Sequence, residues 1–293
     1  MNLSERLAPQ TNERVGLSET ARYSLFIVPP LLFASLIFLY PMIETIGRSF
    51  LGGEYPGSLY LELSHDNVFL LSLRNTFVYA VLTTILTAIL GYPVAILIGF
   101  ARPGVAGLLL LLVMVPFWTS ILVRSYAWLV LLGREGLVNS IWIGSGLGNR
   151  PLSLIFNSIG VSVGMVHVML PYMILPIVST ISRINKEVLS AASSLGASRW
   201  QSFVRVLLPL TAPGVAGGAA LVFVIALGFF ITPALMGGPR DVVTAMVIHD
   251  RITRQLAWDQ ASAISVVLLL LTGGTFIICA RILGLQRHMS IAK

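Results

Sequence analysis

Six stretches of this sequence run for twenty-one to thirty-four residues without Asp, Glu, Lys or Arg: Tyr23–Ile43, Thr76–Ala101, Pro103–Val123, Pro151–Ser182, Val206–Pro239 and Gln260–Ala280. A helix needs about 20 apolar residues to cross the hydrocarbon core of a bilayer. Only helices and closed barrels satisfy their backbone polar groups inside it. Barrel strands alternate apolar and polar residues, and Leu108–Phe117 (LLLLLVMVPF) and Val266–Leu271 (VVLLLL) do not. The chain is therefore expected to be an all-α integral membrane protein with six transmembrane helices. Their expected positions are 23–43, 76–101, 104–130, 158–182, 212–233 and 260–280. The two longest runs are too short for two spans and a turn, so each is read as one helix with an apolar flank. Composition agrees: 11% of residues are charged, against about 25% in soluble domains.

The first run follows a polar head of twenty-two residues and is long enough to span, so it is not read as a cleaved leader. A single cysteine, Cys279, excludes a disulfide within the chain. With four scattered histidines (His65, His167, His249, His288), it gives neither a metal-ligand cluster nor a nucleophile–base set. No metal, no catalytic residue and no cofactor bound by this chain are expected.

Six spans put both termini on one side. If that side is the cytoplasm, the inner segments are an N-terminal tail (1–22), the turn at Arg102, residues 183–211 and the C-terminal end; a tail of 284–293 closes the chain. The inner segments hold eleven Lys and Arg and the outer ones eight. Four acidic residues are inside and eight outside, so the whole net charge of +7 sits on the inner face. Cytoplasmic termini follow from the positive-inside bias. The charge is read as topology and anionic-lipid contact, with no nucleic-acid partner.

One inner segment stands out. Residues 184–209 form a charged island between the fourth and fifth spans. From Glu187 to Leu195 the sequence suits a short helix, with Val188, Ala191, Ala192 and Leu195 on one stripe. Gly196 supplies a turn. Ser198 and Gln201 fit a capping box that opens a second helix carrying Trp200, Phe203, Val204 and Leu207. Pro209 and Pro213 close it. Periodicity alone would equally describe an amphipathic loop on the membrane surface.

The residue pattern separates the two readings. Ser190-Ala191-Ala192, then Gly196 after three residues, then Val206-Leu207-Leu208-Pro209 after nine more, resembles the cytoplasmic EAA loop of the permease subunits of bacterial ABC importers. Ser190 stands where that pattern has Glu, and Val206 where it has Ile; Glu187 lies one turn before Ser190. Further stretches resemble spermidine/putrescine-type permeases: Pro116–Trp128 (PFWTSILVRSYAW), Leu131–Asn139, Leu170–Pro176 and Ile231–Pro239. The resemblance covers residues 23–283, which form the expected permease domain.

The resemblance implies a subunit of a multi-pass importer in the bacterial inner membrane. The implied partners are a second permease subunit in a heterodimer, two cytoplasmic ATPase subunits that carry ATP and Mg, and a periplasmic or extracellular solute-binding protein. It assigns ATPase docking to Glu187, Ser190, Ala191, Ala192, Leu195, Gly196, Ala197, Trp200, Leu208 and Pro209. The chain has no G-x-x-x-x-G-K-[ST] phosphate loop, so it is read as a non-enzymatic subunit powered by a partner.

The expected substrate path takes Trp118, Thr119, Arg124, Tyr126 and Trp128 from the third span, and Phe229 and Phe230 from the fifth. An aromatic belt with an interfacial arginine explains the first five equally well. A buried Arg124 needs an anionic partner, from substrate or protein. Gly228 and Pro233 can loosen the fifth span. Polyamine-type relatives often carry an acid where this chain has Phe229, and the uncharged runs supply no carboxylate. The cargo is read as a small polar solute, a polyamine first; an amino-acid-like or opine-like solute would suit Arg124. An ion-coupled secondary transporter is the alternative from another class, but it would be expected to show repeat halves or intramembrane ionisable groups. Mid-span, only His167 offers one, and it is most simply a hydrogen-bonded contact between helices.

Overall fold

A computed structural model describes residues 19–282. The cytoplasmic tails expected over 1–22 and 284–293 therefore lie wholly or largely outside the described residues. Among the described residues every regular element is helical. Long helices cross the bundle at α1 (Glu19–Leu51), α3 (Asn67–Phe100), α7 (Ser158–Ile181), α10 (Leu208–Leu227) and α13 (Trp258–Ile282). Between them lie α2 (Ser58–His65), α4 (Pro103–Trp118), α5 (Ile121–Leu132), α6 (Leu137–Gly144), α8 (Lys186–Ser194), α9 (Arg199–Ser202), a π turn (Phe203–Leu207), α11 (Ile231–Met236) and α12 (Thr244–Thr253).

The third crossing differs from the single helix expected over 104–130. It is two pieces, and α4 diverges by 98° from the segment Ile121–Gly144. Pro116 has no N–H to donate back into its helix. The Thr119 N–H and Oγ1 both donate to the Pro116 carbonyl, at 3.2 and 2.8 Å, which ends α4. The fifth crossing also departs from the expected 212–233. It begins at Leu208, ends at Gly228 and resumes as α11. Pro29, Pro30 and Pro41 lie inside α1. Glu44 and Arg48, one turn apart and joined at 2.8 Å, carry α1 beyond its apolar run.

The core is the contact of α3, α7 and α10. On α3, Ser72, Thr76, Ala80, Thr83, Thr87, Gly91 and Ala95 make a buried stripe of small residues at helical spacing. Small side chains let helices approach closely in a bilayer. The hydroxyls of Thr76 and Thr87 donate to the carbonyls four residues back, each at 2.8 Å, so they carry no unpaired donor into the core. Against this stripe lie Met169, Met173, Ile174, Ile177 and Ile181 of α7. Gly91 meets Met173 and Ile174, and Gly99 meets Ile181. Thus α3 and α7 run parallel. Gly214 of α10 approaches Thr180 and Pro176, and Gly218 approaches Met173, so α10 runs antiparallel to α7. Residues 26–44 of α1 are exposed among the described residues, while Ser49 near its end is buried and accepts from the Tyr60 hydroxyl at 2.8 Å.

Candidate functional site

The island between the fourth and fifth crossings folds as a helical hairpin at the end of the bundle where α7 stops and α10 starts. Asn185 caps α8: its Oδ1 accepts from the Glu187 N–H at 3.0 Å. Leu195 closes α8 by donating its N–H to the Ala191 carbonyl. Gly196 then adopts φ +84°, the left-handed region that a side chain resists. The Ala197 N–H returns to the Ala192 carbonyl at 3.1 Å and completes the turn. The capping box at Ser198 and Gln201 is present in both directions, at 2.9 and 3.2 Å. The second helix tightens into the π turn and continues into α10 without a gap. Trp200 stacks on Phe203 at 5.5 Å, and Phe203 meets Tyr92 of α3 at 6.0 Å. Aromatic rings thus join the hairpin to the core.

Of the residues assigned to docking, Leu195 is 89% exposed and Trp200 71%. Glu187, Ser190, Ala191, Gly196, Leu208 and Pro209 are also exposed, while Ala192 and Ala197 are half-buried. An exposed leucine and tryptophan on a short, well-capped helix pair form an apolar surface that no described residue covers.

The residues expected to line the substrate path do not form one cluster. Trp118, Thr119 and Tyr126 are exposed around the break between α4 and α5. Trp128 donates from Nε1 to Nδ1 of His167 at 3.1 Å, joining α5 to α7. These two rings border an apolar groove of about 510 Å³ that Leu82, Leu86 and Leu90 of α3 also line. Arg124 is half-buried, and its Nε has no hydrogen-bond partner among the described residues. Next to it, the Ser125 and Thr232 hydroxyls meet at 3.3 Å and hold α5 against α11. Phe229 packs into the core against both α7 and α3. Phe230 instead turns away onto His249 of α12, with ring centroids 5.1 Å apart.

At the opposite end of the bundle from the hairpin, the loop after α11 holds a site that residue patterns did not mark. Asp241 is 8% exposed. Its carboxylate accepts from the Tyr79 hydroxyl of α3, from the Ser158 hydroxyl at the start of α7, at 2.7 Å, and from the Gly238 N–H at 2.8 Å. Burial pushes the carboxyl up, but these three donors outweigh it and hold it below the ordinary aspartate range. Asn75 secures the same loop by donating to the carbonyls of Arg240 and Val242, at 2.7 and 2.9 Å. Ser72, Thr76 and Thr244 join α12 to α3. The partners of Asp241 lie 162 and 83 residues away. The one local signal was a carboxylate two residues after a Gly-Gly-Pro turn.

Five helices are long and apolar enough to cross a membrane, six with the bent α4–α5 pair, and a capped, exposed hairpin lies between α7 and α10. The fold is similar to that in the crystal structure of a bacterial ABC transporter involved in the import of the acidic polysaccharide alginate. The TM-score is 0.74 at 18% identity, covering 93% of this chain and 98% of that one. A second structure, of a bacterial alginate ABC transporter in complex with an alginate pentasaccharide-bound periplasmic protein, gives 0.71 at 18% identity over 89% and 94%.

The family described as binding-protein-dependent transport system inner membrane component matches residues 23–283, and this chain belongs to it. It is 32% identical over 245 residues to the spermidine/putrescine transport system permease protein PotB of Escherichia coli (strain K12), covering 81% of this chain and 89% of that one. To the sulfate transport system permease protein CysW of Synechocystis sp. it is 29% identical over 215 residues, covering 73% and 75%.

Proposed function

We propose that this permease forms one half of the translocation path of an ATP-driven importer. It would pair with a second permease subunit, dock two cytoplasmic ATPases and receive solute from an outer binding protein. The observation that carries this reading is the α8–α9 hairpin. It is capped, exposes Leu195 and Trp200, follows α7 after a short turn and runs directly into α10, two of the three core helices. A force applied to it by closing ATPases reaches the core through α10 and through the Trp200–Phe203–Tyr92 ring contacts. The inner end then closes as the outer end opens.

The cargo we propose is a small polar solute bearing amino groups. The spermidine/putrescine relative supports a polyamine. The unpaired Nε of Arg124 and the lack of any acid in the apolar runs favour an amino-acid-like solute instead.

Gly196 gives the test of docking. Asn tolerates a left-handed backbone far better than a β-branched residue. Copurification of the ATPase with Gly196→Val is expected to fall at least tenfold, while Gly196→Asn retains it. ATPase association and uptake unchanged in Gly196→Val would remove the docking role.

A further inference from the structure

A cleft of about 590 Å³ opens beside the break between α10 and α11, at the end of the bundle remote from the hairpin. Phe230 and Ala234 form one wall, and Met246, His249, Asp250 and Arg254 of α12 another. It combines an apolar floor with one carboxylate and one accessible guanidinium. Asp250 and Arg254 stand one helical turn apart and touch at 3.4 Å between Oδ1 and Nε. Their side chains are 39% and 83% exposed. The terminal nitrogens of Arg254 make no hydrogen bond to any described residue. Arg251, on the same helix, is otherwise engaged. It donates to Asp66 at 2.6 Å and to Gln255 at 2.7 Å, which ties α12 to the start of α3. Gln255 also donates to Asp250 at 2.9 Å, which orients that carboxylate.

We propose that this cleft is a solute subsite for a small zwitterion, such as a solute with one ammonium and one carboxylate on a short carbon chain. The carboxylate would accept from the free fork of Arg254, the ammonium would donate to Asp250, and the carbon chain would lie on Phe230 and Met246. A long, exposed ion pair is worth little, so the two groups can exchange partners with a solute at small cost. A dication is disfavoured, because Asp250 is the one carboxylate lining the cleft and Arg254 stands beside it. A dianion would meet the Asp250 charge. The cleft thus offers an acid that no transmembrane run contains, placed next to Phe230 where the fifth crossing breaks.

This inference rests on the chain being half of a solute path. Three four-carbon probes with permuted end charges test it: putrescine, γ-aminobutyrate and succinate. Each is titrated onto the full transporter complex, purified in nanodiscs without the binding protein, and affinity is read by calorimetry. γ-Aminobutyrate is expected to bind at least tenfold more tightly than either of the others. Asp250→Asn and Arg254→Gln should each weaken it about tenfold. Preference for putrescine or succinate, binding of none of the three, or variants that bind like the wild type would overturn the subsite. ATP hydrolysis by the same preparations separates the two levels. Intact hydrolysis without probe discrimination rejects the subsite alone. A preparation that retains no ATPase counts against the importer reading, while the probe ranking still decides the subsite.

Discussion

Asp241 is a buried acid whose role is decided by three donors from three places in the chain. Its hydrogen bonds to Tyr79, Ser158 and Gly238 hold the loop after α11 against the starts of two core crossings. Asp241→Asn leaves at least one donor facing a donor. A lost buried charge-assisted hydrogen bond costs about 1–3 kcal/mol, and a fall in melting temperature of the detergent-solubilised protein would register it. The pH dependence has a fixed sign. The folded carboxyl titrates below its ordinary value, so its contribution is complete above the ordinary aspartate value of about 3.9. It disappears as pH falls through the lower folded value. The gap between wild type and Asp241→Asn should therefore be constant from pH 7 down to about 5 and close in stronger acid. A gap that widens on acidification would contradict the assignment.

At the scale of elements, the fit of α10 on α7 depends on which glycine faces inward. A methyl at Gly218 would stand 2.9 Å from the Met173 sulfur and 3.0 Å from its carbonyl oxygen. At Gly217 it would meet nothing within 4 Å. Overpacking costs about 1–3 kcal/mol. Gly218→Val should cut the yield of monodisperse protein on size exclusion several-fold, and Gly217→Val should leave it near wild type. Equal yields would mean that the helices do not meet at Gly218.

The elements also mark how far the sequence could be read. The Ser198–Gln201 capping box and the Gly196 turn were legible, because each rests on residues within one turn of one another. So was the Trp128–His167 contact in kind, since a mid-span histidine without an acid needs a neutral partner. The break at Thr119 was not, although Pro116 was visible. An uncharged run shows how much chain the bilayer can accept and not where the helix turns. Charge-free length likewise understated α1, because Glu44 and Arg48 neutralise each other on one face. The Asp241 site was hidden because its partners are distant in sequence and meet only once α3 and α7 have packed; the Asp250–Arg254 pair is local, but the Phe230 wall of its cleft comes from another element.

At the scale of the whole molecule, two ends of one bundle carry two kinds of surface. One end presents the capped hairpin with its exposed Leu195 and Trp200. The other presents the Asp241-anchored loop, α12 and the cleft beside Phe230. The core of α3, α7 and α10 connects them, and α10 is continuous with the hairpin at one end and breaks beside the cleft at the other. This arrangement lets movement at one end be read at the other, which is what an importer subunit requires.

The most direct measurement is site-specific cross-linking in native membranes, with Cys279→Ser as background. Leu195→Cys and Trp200→Cys on the hairpin are compared with Ser140→Cys on α6 at the opposite end. The account predicts that the two hairpin positions cross-link to the ATP-hydrolysing partner and that position 140 does not. Cross-links from the hairpin to the outer binding protein, or to the ATPase from position 140 alone, would contradict it.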